Sequence, residues 1–136
     1  MKSISSALLF LISVPIHQIG AGFHISSLTI SGVDGGLIAC PSNYLNCDCW
    51  INGDRGQLIS GDPDSLGAFF QVDEGLCGLG YLNFYEGAGG VYDFYMDGGD
   101  GTLQGQCFPN SFTDHCSHPS ATVVDQLVCY SYICGN

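Results

Sequence analysis

The sequence is nearly without positive charge. Lys2 and Arg55 stand alone against thirteen Asp and Glu residues, for a formal net charge of −11. This argues against a nucleic-acid partner, because neutralising phosphates requires a basic surface. It argues equally against membrane insertion in the manner of a cationic amphipath. The remaining partner classes are neutral glycans, cations and basic protein surfaces.

Long apolar runs are also missing. The longest lies at the amino terminus and is roughly half the ~20 residues needed to span a bilayer. No extended stretch has helical periodicity. A Gly-x-Ser-x-Gly nucleophile elbow is absent, as are a Cys-x2-Cys pair and an EF-hand spacing. There is no Asn-x-Ser/Thr sequon, so N-glycosylation is not expected.

What is present begins with a leader. Lys2 precedes the apolar residues Ala7, Leu8, Leu9, Phe10, Leu11 and Ile12, extended by Val14 and Ile16, and small residues follow at Gly20, Ala21 and Gly22. This is the pattern of a secretory signal peptide over residues 1–22, leaving residues 23–136 as one extracellular domain. Arg55 is then that domain's only Lys or Arg.

All eight cysteines fall in the domain: Cys40, Cys47, Cys49, Cys77, Cys107, Cys116, Cys129 and Cys134. An even number in a small secreted chain reads as four disulfides. On the order of a hundred connectivities are open. Cys47 and Cys49 are too close to bond each other without strain, so each is expected to reach a distant partner.

Twenty glycines punctuate the chain, and short apolar or aromatic runs lie between Gly, Asp, Asn and Pro turns. Strands are expected at residues 23–30, 37–40, 57–60, 68–72, 80–86, 91–96, 102–108 and 123–133. A three-stranded meander over 80–108 is the clearest unit. Asn83-Phe84-Tyr85 and Asp93-Phe94-Tyr95 echo each other across a Gly-rich turn, and Tyr85 and Tyr95 would share a face if paired opposite each other. Residues 125–134 also fit a helical stripe loosely, and residues 111–120 read as a disulfide-fixed loop. The fold class is mainly β: a small disulfide-stapled antiparallel sandwich or barrel.

Several residue groups could carry chemistry. Cys47-x-Cys49 and His115-Cys116-Ser117-His118 hold zinc-type ligands, but a secretory route oxidises thiols. Asp93, Asp97 and Asp100, and separately Asn52, Asp54, Asp62 and Asp64, could offer oxygens to calcium; Asp-Gly turns explain the same residues without a metal. No metal or other cofactor is assigned. His24, His115 and His118 have no catalytic partner assignable from sequence, and no enzyme is expected. Tyr81, Tyr85, Tyr92, Tyr95, Tyr130, Tyr132 and Trp50 supply flat amphipathic rings; Trp50, Tyr85 and Tyr95 are the leading ligand-contact candidates. Arg55 could pair with Asp48 or Asp54.

In format the chain resembles small secreted cysteine-rich proteins of fungi, many of which act as effectors. Cys47-Asp48-Cys49-Trp50 and the run from Cys129 to Cys134 are the stretches that carry this. Cys-x-Cys-Trp is also similar to a piece of virally encoded fungal killer toxins, whose surrounding spacings this chain does not follow. The resemblance implies a secreted, non-enzymatic binding protein acting on a protein or cell-wall partner. Aromatic strands beside acidic turns make a lectin-like, calcium-assisted glycan binder the alternative, and a small carboxylate-dependent hydrolase the third reading.

Overall fold

The computed structural model describes residues 21–52, 57–60 and 66–134. The leader reading falls almost wholly outside these residues; Ala21 and Gly22, its last two positions, open the first strand.

Nine strands are described: β1 (Ala21–Ile30), β2 (Val33–Pro41), β3 (Gln57–Ser60), β4 (Phe69–Val72), β5 (Leu82–Glu86), β6 (Tyr92–Met96), β7 (Leu103–Pro109), β8 (Thr113–Ser117) and β9 (Ser120–Ser131). Strands β1 to β7 pair antiparallel in chain order, and β7 pairs with β9. β9 also pairs along its length with β1, which brings the ring of eight strands to a nearly closed barrel. Near-closure leaves few unpaired strand edges. β8 lies beside the first half of β9, on the side that β7 takes further along.

The barrel core is built on one row of rings. Phe70, Phe84 and Phe94 are register partners across β4, β5 and β6. Phe70 stacks on Phe84 at 4.5 Å, and Phe84 on Phe94 at 4.9 Å. Phe23 from β1 meets Phe84 and Phe94 edge-on. The next partner in the row is Gly105, and here only glycine fits. A Cβ at that position would stand 2.9 Å from the Phe94 ring and 2.4 Å from the Tyr130 carbonyl oxygen.

A second core sits outside the ring. Ile25 pairs with Leu127, but Ser26 pairs with Asp125, so Gln126 is an extra residue on β9. Such a bulge reverses which alternate residues face inward. Leu127 and Cys129 therefore join Phe23 and Ile25 inside the barrel, whereas Ala121 and Val123 join Leu28, Ile38 and Cys40 in the second cluster. The segment after β2 covers that cluster and contributes Cys49 and Trp50 from a short helical turn, Asp48–Asn52.

Four disulfides tie these parts together: Cys40–Cys49, Cys47–Cys116, Cys77–Cys134 and Cys107–Cys129. Cys47 and Cys49 do avoid each other. Cys47 reaches across 69 residues as expected, but the partner of Cys49 is only nine residues away. Cys107 and Cys129 are direct register partners inside the barrel.

One expectation needs correction, and one alternative falls away. Residues 111–120 are not simply a loop, because Thr113–Ser117 forms β8 in a hairpin with β9. Its sequence, Thr-Asp-His-Cys-Ser, buries only Cys116 and so lacks the apolar alternation that marks a strand. The helical stripe over 125–134 is not realised, since alternate residues of β9 are buried through Ser131. Buried Asp125 and Ser131 interrupt the apolar pattern on that face.

Candidate binding face

The outer surface of β4 to β7 and β9 carries an unbroken register row. Phe69 pairs with Tyr85, Tyr85 with Asp93, Asp93 with Gln106, and Gln106 with Tyr130. Successive strand residues point to opposite faces, so this row is outward because its neighbours Phe70, Phe84, Phe94 and Cys107 are core. Four strand spacings make it roughly 19 Å long.

Rings occupy both ends of the row. Phe69 and Tyr85 lie 5.1 Å apart, and Tyr95 on the next register level meets Tyr85 at 6.0 Å. At the other end Phe108 and Tyr130 meet edge-on at 5.8 Å. Leu103, Gln104, Gln106, Phe108, Tyr130 and Tyr132 line a groove of about 460 Å³ there. Tyr132 is 66 % exposed. Its chain position is held by Ser131, whose hydroxyl donates to the Gln104 carbonyl and accepts from the Ile133 N–H, and by the Cys77–Cys134 disulfide just beyond.

Polar side chains between the rings are fixed by one another. Gln106 Nε2 donates to Asp93 Oδ1 at 2.7 Å, Asn83 Nδ2 to Asp97 Oδ1 at 2.9 Å, and Gln71 Nε2 to Asn83 Oδ1 at 2.9 Å. Gln104 Nε2 donates to the Thr102 carbonyl.

The candidates named from sequence are distributed unevenly over this picture. Tyr85 and Tyr95 do share the outer face, as diagonal rather than opposite neighbours. Trp50 does not belong there: it is 3 % exposed and packs in the second core. The Cys40–Cys49 and Cys47–Cys116 bridges draw its segment onto the β1–β2 face, which buries the indole. Its indole N–H has no partner among the described residues. Tyr92 is also core; its hydroxyl donates to the Gly67 carbonyl, and burial, with the nearby Glu86 charge, raises its pKa. Tyr81 is exposed at the surface.

Phe69, Gln106 and Phe108 were not singled out from sequence. One signal was available: adjacent Phe69 and Phe70 on one strand cannot both face inward.

The acidic turns are accounted for locally. Asp100 accepts from the Thr102 N–H, and these Thr102 hydrogen bonds lower its pKa. Asp93 and Asp97 hold amides as above. No group of three His, Cys, Asp or Glu suited to a metal occurs among the described residues. All eight cysteines are in disulfides and offer no thiolate. Asp54, Arg55, Asp62 and Asp64 lie outside the described residues, while Asn52 Nδ2 donates to Asp48.

One buried polar centre stands apart from this face. Asp125 is 2 % exposed and accepts three hydrogen bonds: from His24 Nδ1 at 2.6 Å, Asn110 Nδ2 at 2.7 Å and Ser26 Oγ at 3.1 Å. Ser26 gives its proton to the carboxylate rather than to His24. The three groups therefore do not form the nucleophile–base contact of a hydrolytic triad. His115 sits on β8 and His118 in the turn that follows.

No protein family, curated protein sequence or solved structure matches this chain. The fold and face define a disulfide-stapled β-barrel with an exposed aromatic and amide surface.

Proposed function

We propose that this chain is a secreted, non-enzymatic binding protein, effector-like in format, that works in the extracellular space. Its partner docks on the outer face of β4 to β7 and β9. The observation that carries this reading is the exposed row from Phe69 to Tyr130, with rings at both ends and prealigned polar groups between them. Contiguous exposed apolar surface rimmed by polar residues marks interaction sites.

Four disulfides are typical of extracellular proteins. No helix among the described residues is long and apolar enough to cross a membrane. The Asp125 centre ties β1, β9 and the Asn110 turn together.

The test compares wild type with Tyr85→Ala/Tyr130→Ala/Tyr132→Ala for binding to isolated fungal and plant cell walls. Saturable binding that the triple variant weakens at least about tenfold is expected, the size of a typical hot-spot loss. Equal binding by a folded triple variant would remove the face from consideration.

A further inference from the structure

We infer that the ligand of this face is a neutral polysaccharide running across the strands, with the groove at Phe108, Tyr130 and Tyr132 as its anchoring subsite. This rests on the binding-face reading above and adds the chemical class of the ligand.

Shape is the first argument. The row spans roughly 19 Å but is only one residue deep, which suits an extended chain better than a compact one. Rings at Tyr130 and at Phe69–Tyr85 mark two contact regions along one line, separated by the Asp93–Gln106 pair. Sugar rings present flat C–H faces that stack on such side chains, leaving their hydroxyls at the edge for hydrogen bonds. The groove of about 460 Å³ falls within the ~300–1,000 Å³ typical of small-ligand sites.

Charge is the second argument. The described residues include no Lys or Arg. Among the described residues a uronate, sulfate or phosphate would find no Lys or Arg, and would meet Asp93 and Asp97 instead. A second copy of the chain is disfavoured by mutual repulsion at a net charge near −11.

Hydrogen-bond chemistry is the third. Gln104 and Gln106 each give one amide N–H, to the Thr102 carbonyl and to Asp93. Each primary amide also carries a second N–H and a carbonyl oxygen, groups that together can meet a hydroxyl as acceptor and as donor. The pairs are already aligned, so little side-chain entropy is lost on binding.

The experiment is a depletion assay of the oxidised protein on insoluble β-glucan, mannan, xylan and chitin, with polygalacturonate as the anionic control. Wild type is compared with Tyr130→Ala/Tyr132→Ala and with Phe69→Ala/Tyr85→Ala, at low and at 1 M salt. Saturable, salt-insensitive binding to at least one neutral polymer is expected, with none to polygalacturonate. The groove variant should lose about tenfold or more. The Phe69/Tyr85 variant should lose affinity for long oligosaccharides but not for short ones.

Three outcomes would overturn the inference, and they separate it from the reading it rests on. Aromatic-dependent binding to walls that protease treatment abolishes, without binding to any pure neutral polymer, removes the ligand class and leaves the face. A dimer in sedimentation that the groove variant dissolves makes the face a self-interface. Polysaccharide binding unchanged in both folded variants removes the face as well.

Discussion

The carboxylate of Asp125 on β9 accepts the Nδ1 proton of His24 on β1 at 2.6 Å, across 101 residues of chain. Because an ionised carboxylate only accepts, Nδ1 is the protonated ring nitrogen in this contact. It sits where the bulge at Gln126 shifts β9 between the two cores, next to the Ser26 and Asn110 donors.

Removing that carboxylate should be costly. Asp125→Ala removes the acceptor of three hydrogen bonds, and a buried donor left unsatisfied costs about 1–3 kcal/mol. Urea unfolding measures it. A loss below about 1 kcal/mol would mean that water reaches the site and replaces the carboxylate.

The disulfides should rank by the chain each one closes. Loop-closure entropy assigns about 4 kcal/mol to Cys47–Cys116, with its separation of 69, and about 2.5 kcal/mol to Cys40–Cys49, with nine. Paired Cys→Ala variants, compared by denaturant midpoint, should show the greater loss for the first pair. The reverse order would mean that burial in the second core outweighs loop closure.

Trp50 and the surface tyrosines should respond oppositely. Trp50→Ala opens a cavity in the second core and should destabilise by about 3–5 kcal/mol. The fraction that remains folded should bind ligand as wild type does. Weaker binding by folded Trp50→Ala would connect the two faces of the barrel and contradict their separation here.

Tyr92 makes the molecule sensitive to alkali. Its pKa is raised by burial, with a further contribution from Glu86. A raised folded-state value stabilises the protein fully below the unfolded value near 10, and that stability is lost as pH rises through the folded value. Denaturant midpoints should fall as pH rises above the unfolded value near 10, and fall less in Tyr92→Phe. That variant should lose about 1 kcal/mol at neutral pH with the Gly67 hydrogen bond. Parallel declines in both proteins would assign the alkaline loss to other groups.

The β class, the disulfide staples and the meander from β5 to β7 are legible in the chain, because they depend on local patterns. Alternating aromatics, Gly-rich turns and an even cysteine count are readable without knowing what lies opposite. The sequence offered Tyr85 and Tyr95 as partners on one face only if they paired opposite each other; the register makes them diagonal neighbours on that face. Tertiary structure alone decided the rest. The Gln126 bulge sends the two halves of β9 to different cores, and β8 gains its strand by pairing with β9. The pairing of Cys40 with Cys49 and of Cys47 with Cys116 carries Trp50 inward, where the sequence had offered it as a ligand-contact ring. Gln106, from a run with no distinguishing mark, meets Asp93 and Tyr130 only because three strands fall into one register. Such meetings come from long-range pairing, and no local window of the chain contains both partners.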